Sequence, residues 1–267
     1  MSKNIVITGS TRGIGFAMAR EFLKRGCKVV INGTSQESVD AALFELATEF
    51  SAGSYFGFAG DISQLDKVEE LAGFTNYKIQ HIDIWINNAG VSQKKLNIWE
   101  IDNKDIQKVF HTNVTGVING MKTAMKMMLK QGFGQIYNME GFGSDGMMMR
   151  NMTLYGASKR TVRYLTRSMS MEASDTPVQI GTISPGIVLT DFILKSDGMN
   201  REELLKNKFI FNVLADTPET VAPFLVKKML ANKKNGTRIS WLTKPKIFWR
   251  FLTIPFTGRD VVKKVMK

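Results

Sequence analysis

Cysteine is nearly absent. Cys27 stands alone in 267 residues, so no intramolecular disulfide can form. That excludes a small cross-linked secreted scaffold and suits a reducing compartment. Histidine is almost as scarce, and His81 and His111 are too isolated to indicate a metal site. No apolar run reaches the roughly 18 residues a spanning helix needs, which excludes a transmembrane segment. The chain opens "MSKNIVITGS", a strand almost at once, with no room for a signal or transit peptide. A cytoplasmic protein is the expectation.

Acid is missing from one end. From Lys227 to Lys267 twelve Lys or Arg meet one acid, Asp260, a net +11 of the chain's +12. The first 226 residues are therefore nearly neutral, at +1. No helix-turn-helix, zinc-finger spacing or aromatic stacking motif accompanies this charge, so no nucleic-acid partner is expected.

What is present is an alternation. "NIVIT" runs into a glycine-rich turn and then the helical spacing Ile14, Met18, Phe22. "CKVVING" is the next β-branched run, and "SQESVDAALFELATEF" predicts a helix capped by Ser35 or Ser38. "IDIWINNAG", "GQIYNM" and "VQIGTIS" predict further strands, each of the last two after a long helical stretch. Near-continuous apolar strands separated by helices mean an α/β fold: one Rossmann-type, doubly wound parallel sheet with helices on both faces. Hydrophobic content of 43% supports a single domain over 1–267. Within it, 190–215 reads as a lid of short helices and 237–267 as a basic, aromatic extension. Thr217 should cap a helix that has Pro218 in its first turn.

"TGSTRGIG", Thr8 to Gly15, joins the first strand to the first helix, where glycines admit a pyrophosphate to the helix N-terminus. Asp61 after "GFAG", "NNAG" at 87–90, "YGASK" at 155–159 and "SPGIVLT" at 184–190 follow in order. Together these resemble the short-chain dehydrogenase/reductase family over nearly the whole chain. The resemblance implies a dinucleotide held by Gly9, Thr11, Arg12, Gly13, Ile14 and Gly15. Asp61 and Ile62 would meet its adenine, and Asn87, Ala89 and Gly90 its adenosine ribose. Pro185, Gly186, Val188 and Thr190 would meet its nicotinamide. "VVINGTSQ" ends the second strand without the acid that binds ribose hydroxyls in NAD-binding members. Arg12, Thr34 and Ser35 can instead serve a 2′-phosphate, which predicts NADP(H).

Tyr155 and Lys159 are four apart and share one helix face. A phenol titrates near ~10 when free, and a neighbouring ammonium can lower it by about 1–3 pKa units. The resemblance implies that Tyr155 protonates a carbonyl oxygen, that Lys159 tunes it and holds the nicotinamide ribose, and that Asn113 in "HTNVTG" carries a water-mediated relay. The family serine is missing. Thirteen residues before Tyr155 is Phe142, and alignment on the strand puts Gly141 there. Ser144, eleven before, is read as a displaced catalytic serine. The alternative is a turn cap, with backbone amides or Asp145 orienting the substrate.

"NMEGFGSDG", "YGASKR", "ISPGIVLTD" and "NKFIFNVLADTPETVAPFLV" narrow the resemblance to the chlorophyll(ide) b reductase subgroup, which reduces a C7 formyl group with NADPH. A small-molecule carbonyl substrate is implied, with a tetrapyrrole as the leading class. Met147 to Met149 and Phe192, Ile193, Leu194, Phe209, Ile210 and Phe211 suit a large flat apolar ligand. A generic carbonyl or 3-oxoacyl reductase and a non-catalytic dinucleotide sensor are the competing classes. Family members assemble through helices near 100–130 and 153–172, so a homo-oligomer is expected. The usual C-terminal strand reads as replaced by basic, aromatic sequence. In "KPKIFWRFLTIPF" the apolar residues fall almost all round a helix, and the tail is expected to contact a membrane surface.

Overall fold

The computed structural model describes residues 2–194 and 205–265. Part of the expected lid, 195–204, lies outside these.

β1 (Asn4–Ile7) is buried at all four positions. Its β-branched residues have restricted χ1 and suit a pleat covered on both faces. Next come α1 (Gly13–Lys24), β2 (Lys28–Gly33), α2 (Gln36–Ala47), β3 (Tyr55–Ala59), α3 (Leu65–Ile79) and β4 (Ile84–Asn87). α4 (Asn103–Phe110) runs through a π-helical turn at His111–Thr115 into α5 (Gly116–Gln131). Then follow β5 (Gly134–Met139), α6 (Thr153–Glu172), β6 (Val178–Ser184), β7 (Ile187–Val188) and the single-turn α7 (Asp191–Leu194). The chain finishes with α8 (Lys208–Leu214), β8 (Ala215–Asp216), α9 (Pro218–Ala231), β9 (Arg238–Ser240), α10 (Lys244–Thr257) and α11 (Val261–Val265).

Seven strands form a parallel sheet in the order β3-β2-β1-β4-β5-β6-β9, and β7 pairs with β8 apart from it. The doubly wound sheet expected from the alternation is what forms. Ile5 and Ile7 join a core with Phe22, Leu225 and Val226, whereas Val6 faces a second core with Leu71, Trp85 and Met121. β1 pairs with β2 on one side and β4 on the other, with matching registers Ile5↔Val29 and Ile5↔Ile84. The connections diverge there, so a crevice opens outside the carboxyl ends of β1 and β4.

Several expectations are settled or corrected. Ser35, not Ser38, caps α2, its hydroxyl accepting from Ser38 N at 3.3 Å. Thr217 sits at the N-cap of α9, but its Oγ1 pairs with Thr220 Oγ1 at 3.2 Å rather than with a backbone N–H. The seventh strand is present: β9 pairs with β6. Glycine makes it fit, since a Cβ on Gly181 would lie 2.5 Å from the Thr237 carbonyl oxygen. Among the described residues no helix is long and apolar enough to cross a membrane.

The extension is not a loose tail. Asp216, 2% exposed on β8, accepts from Trp241 Nε1 at 2.6 Å, Arg250 at 2.8 Å and Arg259 at 2.6 Å. α10 and α11 are thereby clamped to β8, which ends the expected lid. Val261 and Val262 close a small separate core with Leu189, Ala215, Ile193, Leu194 and Phe211.

Burial alone would push the Asp216 carboxyl up, but the bonds from Arg259, Trp241 and Arg250 hold it below its ordinary value. A depressed carboxyl contributes stability that is complete above the unfolded pKa and lost as pH falls through the folded one. The clamp should therefore hold at neutral pH and release only in acid below about 3.8. Asp216→Ala should cost about 2–4 kcal/mol, short of the deep-burial value because Arg259 is 25% exposed. Urea unfolding followed by tryptophan fluorescence measures it, and an unchanged midpoint would show that the clamp contributes nothing.

Candidate active site

The crevice is closed by side chains of the loops that line it. Thr8 Oγ1 accepts from the N–H groups of Asn88 and Ala89, each at 3.1 Å. Asn88 Nδ2 donates back to the carbonyls of Thr8 at 2.9 Å and Gly9 at 2.8 Å. "NNAG" is thus drawn against the glycine turn so tightly that a Cβ on Gly9 would lie 2.6 Å from Ala89 Cα, and its φ is +58° besides. α1 begins at this turn with no side-chain cap and no acid in its first turn. Its first N–H groups and positive dipole end are left for an anion, which fits a dinucleotide pyrophosphate. Thr190 comes to the same turn, its methyl 3.4 Å from where a Gly13 Cβ would be.

At the end of β2 a residue that sequence reasoning missed does the joining. Asn32 Oδ1 accepts from Gly9 N at 3.2 Å, and its Nδ2 donates to the carbonyls of Phe58 at 3.2 Å and Gly60 at 3.0 Å. One polar residue inside an apolar run was its signal. Gly33 then packs on Thr11, whose methyl lies 2.6 Å from a would-be Cβ. Arg12 is exposed, and its guanidinium has no hydrogen-bond or ion-pair partner among the described residues. Ser35 keeps a proton to donate although its oxygen caps α2.

Two expected cofactor contacts change character. Asn87 is buried, donating to Asn138 Oδ1 at 2.7 Å and accepting from Trp85 Nε1 at 2.8 Å, so its side chain cannot reach a ribose. Ile62 is also buried, its Cδ1 against Gly116, and has only main chain to offer an adenine. Asp61 accepts from Ser63 N at 2.9 Å and stays half-buried. Val188 is buried on β7, and Gly186, at φ +73°, yields to Leu242.

Tyr155 and Lys159 lie one turn apart on α6, 8% and 3% exposed. Lys159 Nζ donates to the Met139 carbonyl at 3.3 Å and sits 5.8 Å from the Tyr155 ring centre. A second missed residue sets the start of this helix. Gln93, 3% exposed, accepts from Tyr155 N at 2.8 Å and donates to the Asn151 carbonyl at 2.9 Å. Asn113 occupies the π-helical turn, a form common at functional sites. Its Oδ1 accepts from Val91 N at 2.8 Å, and its Nδ2 donates to the Val91 carbonyl and Ser158 Oγ. A Cβ on Gly90 would lie 3.3 Å from Asn113 Oδ1 and 3.4 Å from Lys159 Nζ, so glycine is what lets these groups gather.

The expected lowering of the phenol is not the outcome. Burial pushes Tyr155 above its ordinary value, and the same burial pulls the Lys159 ammonium down to about 8. Desolvation disfavours the charged form of each, and it is the cause in both cases. Phe192 of α7 covers the pair, its ring 5.8 Å from that of Tyr155.

The loop after β5 is built without a serine at the strand end. A Cβ on Gly141 would lie 2.4 Å from Tyr155 Oη, so the main chain itself forms the seat of that hydroxyl. Ser144, 2% exposed, accepts from Gly141 N at 3.0 Å, and its own N–H donates to the Gly141 carbonyl at 3.1 Å. Its carbonyl accepts from Arg160 at 3.1 Å and Arg163 at 3.4 Å. Buried Glu140 takes two close bonds from Arg238 of β9, at 2.9 and 2.7 Å. Asp145 is exposed and accepts from Met147 N within the loop.

The short chain dehydrogenase family model matches residues 3–200. The chlorophyll(ide) b reductase NOL of Arabidopsis thaliana is 39% identical, over 94% of this chain and 70% of its own. The probable chlorophyll(ide) b reductase NYC1 of the same plant is 37% identical, over 94% of this chain and 53% of its own. The chain belongs to the short-chain dehydrogenase family. It spans about half the length of the NYC1 relatives. Levodione reductase shares the fold at a TM-score of 0.80 and 25% identity, over 91% of this chain and 97% of its own. Serine dehydrogenase complexed with NADP+ does so at 0.78 and 23%, over 90% and 94%.

The Gly141 seat makes a prediction against the family pattern. Gly141→Ser should not supply a missing hydroxyl, because its Cβ must displace Tyr155. Overpacking of this kind costs about 1–3 kcal/mol, and the misplaced phenol should lower any turnover that uses it more than tenfold. Thermal melts and steady-state rates check both. A stable, fully active variant would show that the seat has room for a side chain.

Proposed function

We propose that this chain reduces a carbonyl to an alcohol with NADPH, and that its substrate is a bulky apolar aldehyde of the chlorophyll(ide) b type, reduced at its C7 formyl group. The observation that carries the reductase reading is the Tyr155 hydroxyl seated on the Gly141 main chain, beside Lys159 and beneath Phe192. NADPH bound along the crevice supplies the hydride. Tyr155 gives its proton to the oxygen as the carbon is reduced, and a raised phenol holds that proton until the oxygen becomes basic. Lys159 keeps a positive charge beside the phenolate that results, and the Met139 carbonyl sets its direction. Ser144 acts through the turn: it holds Gly141 under the hydroxyl.

The substrate class rests on the relatives' names and on Met147, Met148 and Met149, which are 63%, 95% and 54% exposed on the loop leading to α6. Met149 also lines a cleft of about 490 Å³ with Lys95, Asn97, Arg150, Asn151 and Met152. The preference for NADPH rests on unpaired Arg12 and the acid-free end of β2. A sensor reading finds no support in a buried Tyr155–Lys159 pair, whose desolvation is costly unless the pair is used. Exposed Ile118 and Leu129 on α5 and Tyr164 and Met171 on α6 support pairing with a second copy.

Reduction of a carbonyl panel that includes chlorophyllide b, followed by NADPH oxidation, tests this reading. Tyr155→Phe should lower turnover by about 10²-fold or more while NADPH binding persists. Arg12→Ala should raise the KM for NADPH and leave that for NADH nearly unchanged. Equal use of both cofactors by the native chain would overturn the preference. Lys159 is an ammonium below about 8, so reduction should be level in neutral solution and decline as pH rises beyond that value. Ser144→Ala should cost about 1 kcal/mol of stability and less than tenfold in kcat. A fall of about 10²–10³-fold at unchanged Tm would instead make Ser144 a direct donor to the substrate oxygen.

A further inference from the structure

α10 is amphipathic in the reverse sense for a surface helix. Its inward face carries charge: Arg250 is bonded to Asp216 and the Val213 carbonyl, and Lys246 lies over the Trp241 ring. Its outward face carries Phe248, Trp249, Leu252 and Phe256, exposed at 60%, 62%, 50% and 88%. Positions 248, 252 and 256 are successive steps of four and 249 adjoins them, so they form one stripe. Phe251 continues it to Phe209 of α8, with ring centres 6.3 Å apart, and Phe209 and Ile210 are themselves 58% and 43% exposed. Aromatics gathered in this way on a surface mark an interaction site.

Charge selects the occupant. Lys244 begins the helix, Lys263 and Lys264 follow it, and all three are exposed. The segment from Lys227 to Lys267 has twelve Lys or Arg against one acid, and Asp260 is already paired with Lys208 at 2.6 Å. Pairing this face with itself in a second copy would press like charges together. An apolar stripe rimmed by cations matches an anionic bilayer, where aromatics sit at the headgroup level and each nearby cation adds to binding.

From this we propose that the outward face of α10, with Phe209 and Ile210 of α8, is an interfacial docking surface for anionic lipid. It deepens the reductase reading, because the docked surface and the lid are one body. α7 bears Phe192 over Tyr155, and its neighbours Ile193 and Leu194 share a core with Phe211 of α8 and Val261 and Val262 of α11. Asp216 ties α10 and Arg259 to the same strand. Docking by α10 would set the cover of the active site against the lipid, where an apolar aldehyde dissolves.

The test uses the full chain without substrate, so that it is independent of the activity. Vesicles of phosphatidylcholine alone, and of phosphatidylcholine with about one-third phosphatidylglycerol, are sedimented with protein at low and high salt. Binding is expected to the anionic vesicles, to be weakened by salt, and to drop at least about tenfold in Phe248→Gln/Trp249→Gln/Phe256→Gln. These side chains are exposed, so the variant should keep its native melting temperature and its turnover of a water-soluble aldehyde. Should the variant misfold, quenching of Trp249 by brominated lipid in the native chain decides instead. Equal binding of native chain and variant, no quenching, or a dimer that the variant abolishes without any vesicle binding would each overturn the proposal. Loss of aldehyde turnover with vesicle binding intact would count against the reductase reading alone.

Discussion

A buried amide-to-amide bond at the end of the sheet organises the site. Asn87 of β4 donates to Asn138 of β5 at 2.7 Å, and Asn138 passes the network to Thr166 of α6 at 2.8 Å. Trp85 closes the other end on Asn87, and Gly120 leaves no room for anything else, since its Cβ would lie 2.0 Å from Asn87 Oδ1. Every member is dry, so a missing partner would leave a desolvated amide at a cost of about 1–3 kcal/mol. That cost fixes one arrangement of β4, β5, α5 and α6. Tyr155 and Lys159 lie on α6, and the loop that seats the Tyr155 hydroxyl leaves β5. The relative position of the phenol and its seat is thus set by groups that touch neither.

Burial sets the chemistry of the pair as well. A phenol in water beside an ammonium would lose its proton more readily; here both are desolvated and each is driven toward its neutral form. Such a phenol releases a proton only when a strongly basic oxygen is in contact with it. A reductase meets that condition at the moment hydride adds to a carbonyl, and not before. In the proposed reductase, the dryness that makes Tyr155 a poor acid toward water would make it selective toward an alkoxide.

Most of the sheet was legible in the sequence because its strands are continuous β-branched runs, and local pattern is all such strands require. The glycine turn was legible for a related reason: Gly9 and Gly13 need left-handed backbone, and few other residues adopt it. What stayed hidden depends on partners far along the chain. Asn32, Gln93 and Glu140 are given no role by local sequence, and their meaning comes from Gly9, Tyr155 and Arg238, 23, 62 and 98 residues away. β9 was missed because a strand of three residues has too little pattern to show. The role expected of Ser144 came from spacing, whereas the space beside Tyr155 is governed by Gly141.

The C-terminal helix shows the same limit most sharply. By composition, "KPKIFWRFLTIPF" is apolar almost all round, so no outward face can be chosen from the sequence. Asp216 makes the choice. A carboxylate this buried must be paired, and Arg250 is the cation of α10 that reaches it. Turning Arg250 inward forces the opposite arc outward, and that arc is Phe248, Leu252 and Phe256. Leaving those side chains in water forfeits roughly 1.5–3 kcal/mol for each that could be fully buried. The Asp216 pairing offsets that loss, and an apolar partner on the outer face would recover it. One buried acid on β8 therefore decides both how the extension is held and which side chains it presents.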